Sequence, residues 1–424
     1  MLWLKISIAK NTKITEYKDG SNPCQLPYQK TNPIYNMLPN LNTELQTLRE
    51  QNLYRSVRCV ETSQEPRIRI KGRELILFCS NNYLGLANHP ILKGAAIEAL
   101  NTYGSSTVAS ALISGYMPPH ADLENSIAQF LGTESAIAFP TGYTANLGVI
   151  PALINRDDII FSDQLNHRSI IDSCRLSRAQ IAIYNHCDIA HLETQLKTSS
   201  AHRRRLIVTD GVFSMDGDIA PLPELVSLAE QHNAILMVDD AHATGVLGPN
   251  GRGTFEHFGL SPEAIDIHMT SGSKALGASG GFICGSRDLI DLIRNRSAAY
   301  IYTTAMPPDA CASTTAALDL IQRDTSLRQR LWHNTTTITQ HLRALGFDLA
   351  KSQTHIIPIL IGDAQKTVEI SEHLYNRGIY LYGIRPPTVP EGQSRLRLSV
   401  MATHTDDDIA QLLDAMTEVR HKFF

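Results

Sequence analysis

The sequence predicts an α/β protein: a large domain whose mostly parallel sheet is sandwiched by helices, followed by a small C-terminal α+β domain. Short apolar segments, many of them β-branched, alternate with helical segments between about residues 135 and 286. Polar residues follow several of the apolar segments directly, and the alternation stops near residue 310. Such alternation requires crossover connections, which place helices on both faces of a parallel sheet.

The predicted elements follow in chain order. A helix runs from Leu41 to about Asn52, and a hairpin with Gly72 at its turn covers 67–80. Seven strands are predicted at 135–139, 157–162, 179–184, 205–210, 234–240, 265–271 and 280–286. The helices between them are predicted at 141–153, 166–178, 188–198 and 221–232. Two long helices, three strands ("HIIPILI", "GIYLYG", "RLRLSV") and a final helix complete the chain.

These patterns divide the chain into four parts. Residues 1–40 form an N-terminal extension, 41–80 the helix and hairpin, 81–310 the large domain, and 311–424 the C-terminal domain. The stretch 1–36 lacks apolar periodicity and contains the loop signals "DGSNP" and "TNP". It is predicted to be a disordered extension, or to reflect a start codon assigned upstream of Met37.

Composition excludes several classes of protein. The chain is 43% hydrophobic and 19% charged with a net charge of −4, which gives no nucleic-acid footprint. Arg203, Arg204 and Arg205 are interpreted as a solvated loop before a strand. No segment approaches the ~20 apolar residues of a membrane span. The seven cysteines include no C-x-x-C pair, which favours reduced thiols in a cytoplasmic protein; no metal site is expected.

Polar side chains cluster where predicted strands end. Asp210 and Ser214 follow one strand, Asp239 and His242 the next, and the run 271–274 follows a third. Ligands of an open α/β sheet bind outside the carboxyl ends of its strands. The sequence therefore predicts one site at these three strand ends.

The run "TSGSKALGASGG" (270–281) places Lys274 among small residues after a strand. A solvated loop lysine is the ordinary interpretation, but a lysine in a dry pocket has a lowered pKa and becomes a nucleophile. Pyridoxal phosphate requires such a lysine and a carboxylate that keeps its ring nitrogen protonated. Asp239 can supply the carboxylate, and His242 can bind the phenolic oxygen. Asp240 faces the other way along the strand and is predicted to be structural.

Two further segments suit the same cofactor. In "FPTGYTANLGV" (139–149) a strand, a Thr-Gly-Tyr turn and a helix follow one another, which is typical of an anion site, although such turns are common. Ser271 can add a hydroxyl to that site. His167 in "DQLNHRSI" opens another helix, and its ring suits stacking over a pyridine. Taken alone, a histidine at a helix start is more often a cap or a solvated residue.

Taken together, "NNYLGL", "TGYTANLGV", "DQLNHRSI", "TDGVFSMDGDIAPL", "MVDDAHATGVLG", "GSKALGASGG" and "YIYTTAMPP" resemble the α-oxoamine synthases. The resemblance covers residue 45 or so to the C-terminus, with the motifs in order. These are fold-type-I enzymes that use pyridoxal 5'-phosphate to condense an amino acid with an acyl thioester and release CO2. The resemblance implies a decarboxylating C-acyltransferase that is a cytoplasmic homodimer with shared active sites.

Within this family, "IRPPTVPEGQSRLRLSVMATHT" (384–405) resembles the branch that condenses L-alanine with a pimeloyl thioester in biotin biosynthesis. The acyl group would ride on coenzyme A or on acyl carrier protein. Two alternatives stand beside it. One is a sister synthase, such as a glycine C-acetyltransferase or an enzyme that uses another acyl thioester. The other is a protein without catalysis that serves as a scaffold, which should lack Lys274.

The resemblance also implies residue roles. Lys274 would be the Schiff-base lysine, Asp239 the partner of the ring nitrogen, His242 that of the phenolic oxygen, and His167 the stacking and catalytic ring. Gly142, Tyr143 and Ser271 would hold the phosphate, with Ser214 beside the cofactor. Arg397 would grip the amino acid's carboxylate, and Arg55, Asn81 and Thr388 would contact the substrate. Thr303 and Thr304 would reach the phosphate in a partner subunit.

The sequence departs from the family at two places. Ser271 stands where the family often has threonine, but the hydroxyl is retained. The stretch "YGSSTVASALISGY" (103–116) carries Thr107, Val108 and Ala109 where close relatives are rich in glycine. In the family this loop lies near the entry of the acyl substrate, so the departure leaves the amino acid unaffected but the acyl chain open.

Overall fold

The structure is a computed structural model that describes residues 41–51 and 53–424. The described residues form two units. The first comprises those before Thr62 together with Arg69–Glu74, and the second comprises Thr62–Ile68 and Leu75–Phe424. The extension predicted at 1–40 lies outside the described residues.

The predicted N-terminal helix and hairpin both form. Helix α1 spans Leu41–Glu50. Strands β1 (Arg67–Ile70) and β2 (Arg73–Leu77) are joined by Lys71 and Gly72, with φ angles of 51° and 71°. Gly72 suits this left-handed turn because it lacks a Cβ atom.

Seven strands form the central sheet, and all seven were predicted. They are β3 (Ser135–Phe139), β4 (Ile159–Asp163), β5 (Gln180–Tyr184), β6 (Arg205–Asp210), β7 (Ile235–Asp239), β8 (Ile267–Ser271) and β9 (Gly281–Gly285). Their order is β3-β9-β8-β7-β6-β4-β5, and β9 runs antiparallel to both neighbours. Asp210 lies opposite Asp239, and Asp239 opposite Met269. The polar strand ends of β6, β7 and β8 therefore lie side by side.

Helices cover both faces of this sheet, as predicted. Leu236 and Val238 of β7 belong to one buried cluster, whereas Met237 belongs to the other. Alternate residues of a strand point to opposite faces, so two buried clusters mean that both faces are covered. The helices of this region are α2 (Pro90–Tyr103), α3 (Pro118–Leu131), α4 (Gly142–Leu153), α5 (Arg168–Ser177), α6 (Ile189–Lys197), α7 (Leu222–Gln231), α8 (Thr254–His257), α9 (Arg287–Arg296), α10 (Ala298–Ile301) and α11 (Pro308–Arg323).

The C-terminal part is a small antiparallel sheet with helices. Strands β10 (Ile356–Gly362), β12 (Gly383–Ile384) and β13 (Ser394–Ser399) pair in the order β10-β13-β12. The accompanying helices are α12 (Ser326–Ala344), α13 (Ala364–Asn376) and α14 (Asp406–Phe423). Among the described residues, no helix combines the length and apolarity needed to cross a membrane. The domain limits at residues 80 and 310 stay a prediction.

The prediction of a single strand over "GIYLYG" (378–383) is wrong. Strand β11 (Ile379–Tyr380) pairs in parallel with β2, whereas β12 pairs antiparallel with β13. The segment thus leaves one sheet and joins another within a few residues. Alternate residues of the segment, Ile379, Leu381 and Gly383, are buried on both sides of the change from one sheet to the other. The sequence pattern therefore does not reveal the change.

Two glycines show how tightly α4 approaches the sheet. A Cβ atom on Gly281 would lie 2.5 Å from both the Cα atom of Gly142 and the carbonyl oxygen of Thr141. Strand β9 therefore has to carry glycine at the point where α4 begins. Gly94 in α2 is the opposite case, because an added Cβ atom would meet no atom within 4 Å.

We predict opposite effects for alanine at these two positions. Gly281→Ala should lower the free energy of unfolding by about 1–3 kcal/mol, because α4 or β9 must shift. Gly94→Ala should raise it by about 0.5–1 kcal/mol, because alanine loses less conformational freedom in a helix. Chemical denaturation of both variants measures this. A Gly281→Ala protein as stable as the parent would show that the close contact is relaxed in solution.

Candidate active site

A cavity of about 450 Å³ lies at the carboxyl ends of β6, β7 and β8. The structure brings most of the predicted site residues together in its wall. These are Asn81, Gly142, Tyr143, His167, Ser214, Asp239, His242, Ser271, Lys274 and Arg397.

Four predicted residues do not line this cavity. Thr303 and Thr304 line a separate, smaller cavity beside Tyr300 and Met306. Thr388 is exposed in the segment after β12, where its backbone N–H donates to the carbonyl of Arg385 at 3.1 Å. Arg55 belongs to the first unit. The roles of these four residues stay predictions.

Asp239 ends β7 and is only 5% exposed. Its Oδ2 accepts a hydrogen bond from Asn146 Nδ2 (2.8 Å), and its Oδ1 accepts one from the backbone N–H of Ala241 (3.0 Å). A buried carboxylate requires such donors, since an unpaired charge is costly to bury. Asn146 is a functional residue that was not predicted from the sequence, although an asparagine directly before the apolar run "LGVIPAL" is a usable signal.

Asp240 is structural, as predicted. It faces away from the cavity and accepts hydrogen bonds from the backbone N–H (2.8 Å) and hydroxyl (2.7 Å) of Thr254. Burial raises the pKa of Asp240 to about 7, although the Thr254 hydrogen bonds oppose the rise. Adjacent carboxylates therefore occupy two different environments, and only Asp239 opens to the cavity.

Lys274 lies in the loop between β8 and β9, partly buried in the cavity wall. Burial lowers the pKa of its ammonium group, and the negative charges of Asp239 and Asp210 oppose the shift. A lowered pKa increases the fraction of neutral amine, which is the nucleophilic form. The geometry thus gives Lys274 access to the cavity.

His167 is held in the cavity wall by its own helix start. Its Nδ1 pairs with the hydroxyl of Ser169 (2.7 Å), and its backbone N–H donates to Asp210 Oδ2 (2.7 Å). Burial lowers the pKa of His167, while Asp239 opposes the shift. Burial also raises the pKa of Asp210 well above its usual value, with Asp239 adding repulsion. A neutral imidazole of fixed orientation suits stacking on a flat ring.

His242 is fixed by a tyrosine that was not predicted to belong to the site. The Tyr83 hydroxyl lies 2.6 Å from His242 Nδ1 and 3.0 Å from Asn81 Oδ1. Burial, with the positive charges of Lys274 and Arg397, lowers the pKa of His242 well below its usual value. Because Tyr83 donates its one hydroxyl proton to Asn81 Oδ1, the neutral His242 ring carries its proton on Nδ1 and donates it to the Tyr83 oxygen. The unprotonated Nε2 is then an acceptor for a donor group in the cavity.

Arg397 projects from β13 into the cavity wall and is 7% exposed. Its Nη1 donates to Asn81 Oδ1 (3.2 Å) and to the Ser399 hydroxyl (2.9 Å), and its Nε donates to the carbonyl of Ser214. These bonds fix the plane of the guanidinium. Among the described residues, no acceptor is bonded to Nη2, which leaves that nitrogen for a bound carboxylate.

The start of α4 has the hydrogen-bond donors that an anion site needs. Thr141 caps the helix by accepting from the Thr144 N–H (3.1 Å), and Gly142 and Tyr143 follow with their backbone N–H groups at the first turn. A Cβ atom on Gly142 would lie 3.0 Å from Met269 Cε and 3.5 Å from the Ser271 hydroxyl, so glycine keeps this corner open. The Ser271 hydroxyl donates to the carbonyl of Gly280 (3.1 Å). Amide donors and a hydroxyl thus meet at the rim of the cavity.

Comparison with known families agrees with this geometry. Residues 73–416 match the family model described as aminotransferase class I and II. The chain belongs to this family. A protein of Geobacter sulfurreducens named 8-amino-7-oxononanoate synthase is 49% identical over 385 residues, which are 90% of this chain and 98% of the relative. A protein of the same name from Thermoanaerobacter pseudethanolicus is 45% identical over 380 residues, 89% of this chain and 96% of the relative.

Solved structures share the fold. A serine palmitoyltransferase with a pyridoxal phosphate internal aldimine has a TM-score of 0.86 at 32% identity, over 90% of this chain and 97% of that one. An 8-amino-7-oxononanoate synthase of Francisella tularensis has a TM-score of 0.72 at 29% identity, over 82% of this chain and 99% of that one. The expected family and fold-type-I architecture are thereby confirmed.

One buried histidine beside the site gives a pH prediction. His355 is fully buried, its ring centroid lies 4.0 Å from that of Tyr83, and neither ring nitrogen is hydrogen-bonded within the described part of the chain. Burial lowers the pKa of His355 to about 3, and Arg397 adds repulsion. Below an unfolded-state pKa of about 6.5, the unfolded chain binds a proton here that the folded chain does not. His355 therefore lowers stability progressively as the pH falls.

We predict that His355→Phe becomes increasingly stabilising relative to the parent as the pH falls from about 6.5 to 5. The difference in free energy of unfolding should grow by about 1.4 kcal/mol per pH unit, because phenylalanine keeps the aromatic contact but binds no proton. Urea unfolding at three pH values across this range and just above it measures the difference. A difference independent of pH would mean that His355 is solvated or already protonated in the folded protein.

Proposed function

We propose that the chain is an 8-amino-7-oxononanoate synthase, which condenses L-alanine with a pimeloyl thioester and releases CO2 in biotin biosynthesis. One observation carries the proposal. In a chain 49% identical to a relative of that name, Asp239, Lys274 and Arg397 line one cavity, where Asp239 and Arg397 are buried and hydrogen-bonded and Lys274 is partly buried. Three ionisable groups around one cavity fit a chemical site better than a structural core.

The cavity fits pyridoxal 5'-phosphate. Lys274 would hold the aldehyde carbon, Asp239 the ring nitrogen, His242 the phenolic oxygen, and His167 a face of the ring. Backbone N–H groups of Gly142 and Tyr143, with the hydroxyl of Ser271, would hold the phosphate, and Ser214 lies nearby in the wall. When bound, this cofactor supplies a protonated ring that accepts electrons from the α-carbon of an amino acid.

The protein's own groups then divide the work. The Asp239 carboxylate, held by Asn146 and Ala241, would keep a proton on the ring nitrogen of the bound cofactor. The Nζ atom of Lys274, whose pKa is lowered by burial, can remove the α-proton of L-alanine in its neutral form and later return a proton to the product. Arg397 holds the α-carboxylate, which orients the bond to be broken when CO2 leaves.

Serine palmitoyltransferase is the main competing model, because its structures superpose with the higher TM-score, 0.86 against 0.72. That score compares backbone paths, whereas substrate choice depends on side chains in the wall. Identity is 32% to the palmitoyltransferase and 49% to the oxononanoate synthase of Geobacter sulfurreducens. We therefore favour L-alanine and pimeloyl over serine and a long acyl chain.

The acyl group is the open part of the assignment. The loop 103–116 places Val108 at a φ of 46°, 87% exposed, and holds it through a hydrogen bond from the Thr107 hydroxyl to the carbonyl of Ala305 (3.1 Å). A β-branched residue rarely adopts this conformation, so the loop is specialised relative to the glycine-rich pattern. A sister synthase, such as a glycine C-acetyltransferase, is the alternative that this loop keeps open.

Several finer features belong to the same proposal. The acyl donor is coenzyme A or acyl carrier protein. The enzyme is a homodimer in which Thr303 and Thr304 of one subunit reach the phosphate of the other, while Thr388 and Arg55 contact the substrate. A cytoplasmic location is supported by the thiols of Cys174, Cys284 and Cys311, which form no disulfide.

Product analysis tests the proposal. Holoenzyme incubated with L-alanine and pimeloyl-CoA should yield 8-amino-7-oxononanoate by mass spectrometry. We expect kcat/KM for L-alanine well above that for glycine or L-serine, with weak residual use of glycine, because one methyl group discriminates by only ~1–3 kcal/mol. If acetyl-CoA or palmitoyl-CoA is used tenfold better than pimeloyl-CoA, the biotin assignment fails while the synthase chemistry stands.

We predict that Asp239→Asn folds but loses most catalysis, because a neutral amide cannot hold a proton on the ring nitrogen. The loss of this electrostatic stabilisation should raise the barrier by about 3–4 kcal/mol, which slows turnover by roughly two to three orders of magnitude. Asp240→Asn is the matched control, since it should change stability more than turnover. Steady-state assays of both proteins test this prediction. Equally slow turnover in the two variants would contradict the different roles given to Asp239 and Asp240.

A further inference from the structure

A buried acid–histidine–acid bridge lies beside the site but outside its cavity. His186, in the turn after β5, donates through Nδ1 to Asp163 Oδ1 (2.9 Å) and through Nε2 to Asp218 Oδ2 (2.7 Å). The side chains are 22%, 1% and 11% exposed for His186, Asp163 and Asp218. One ring therefore joins three segments that are distant in the sequence.

The first joined segment is the turn that leads to His167. Asp163 ends β4, and its Oδ1 also accepts the backbone N–H of Leu165 (2.8 Å). Its backbone carbonyl accepts from the Asn166 N–H (3.3 Å), and the Asn166 amide in turn donates to the carbonyl of Val208 (2.8 Å). The position of Asp163 thus sets the path of the chain up to the stacking residue His167.

The second joined segment is the loop 211–220, which carries Ser214. The carbonyl of Asp218 accepts from the Phe213 N–H (3.1 Å), and the Phe213 ring packs edge-on against His186 with a centroid distance of 4.4 Å. The carbonyl of Ser214 accepts a hydrogen bond from Arg397. His186 therefore contacts the loop that fixes the guanidinium of the carboxylate-binding arginine.

The hydrogen bonds of the bridge favour the charged form of His186. Burial alone would favour a neutral ring, but hydrogen bonds to Asp163 and Asp218 raise the pKa of His186 to about 12. Asp163, His186 and Cys187 place ligand-type atoms within 4.8 Å of one another, which is compatible in distance with a metal ion. A metal-bound histidine must be deprotonated at its ligating nitrogen, whereas both nitrogens here donate protons to carboxylates. The cluster is better explained as an ion bridge.

We propose that His186 is a positioning residue for the active site: its doubly hydrogen-bonded imidazolium holds the turn before His167 and the Ser214 loop in register. The inference rests on the proposed function, since it concerns the same cavity and cofactor. Removing the cation leaves two carboxylates facing each other in a largely buried space, so both segments must move apart. Loss of this bridge should therefore weaken the binding of the cofactor as well as lower the stability of the protein.

The test compares His186→Gln with His191→Gln, measured on the holoenzyme without substrates. His191 lies on α6 near the same sheet edge, and its side chain bonds Asn185 and Gln195, so it controls for a local loss of packing. We expect His186→Gln to raise the dissociation constant of pyridoxal phosphate at least tenfold and to reduce its visible circular dichroism band by more than half. His191→Gln should stay within twofold of the parent in both. Melting temperatures are recorded for each variant.

A second variant covers the case in which His186→Gln does not fold. Asp218→Asn keeps an acceptor oxygen but removes one charge, and it should raise the dissociation constant at least threefold. The inference is overturned if the variant that folds has an unchanged dissociation constant and dichroism band while its melting temperature falls. A parent that binds no pyridoxal phosphate would instead overturn the proposed function, and this inference with it.

Discussion

The site depends on one constraint: the Asp239 carboxylate is buried at the end of a central strand, where both of its oxygens need hydrogen-bond donors. Its two oxygens are held by Asn146 and by the N–H of Ala241. Burial raises the pKa of Asp210 and lowers that of Lys274; the charge of Asp239 adds to the first shift and opposes the second. An ion this deeply placed is retained only when its surroundings are fixed, which explains why hydrogen bonds continue outward in several layers.

Those layers come from different parts of the chain, including segments outside the central sheet. Tyr83 orients His242 from the segment after β2, and Arg397 enters from β13 of the C-terminal sheet. The side chains of Asp239, His242 and Arg397 are each held by a backbone group or a buried polar partner, so neighbouring residues fix their positions in the site. The bridge at His186 extends the same principle to two loops that themselves carry no catalytic charge.

The sequence allowed most of the fold and the central site residues to be predicted. Strand ends with charged residues are visible as abrupt changes from apolar to polar letters, as at Asp239. The supporting residues were not visible, because Asn146, Tyr83 and His186 acquire their roles only through neighbours distant in the sequence. The segment 378–383 was predicted as one strand because its pattern of buried residues cannot reveal a change of sheet. The proposed role of residues such as Thr303 lies in a partner subunit, so the structure of a single chain does not test it.

The most direct test of the central claim is to identify the lysine that bonds pyridoxal phosphate. Holoenzyme reduced with borohydride and digested should carry the phosphopyridoxyl group on Lys274, because this amine has a lowered pKa and lies in the wall of the cavity that Asp239 lines. Lys274→Ala should bind the cofactor without becoming labelled. Label on another lysine, or stoichiometric label in the Lys274→Ala protein, would contradict this account of the site.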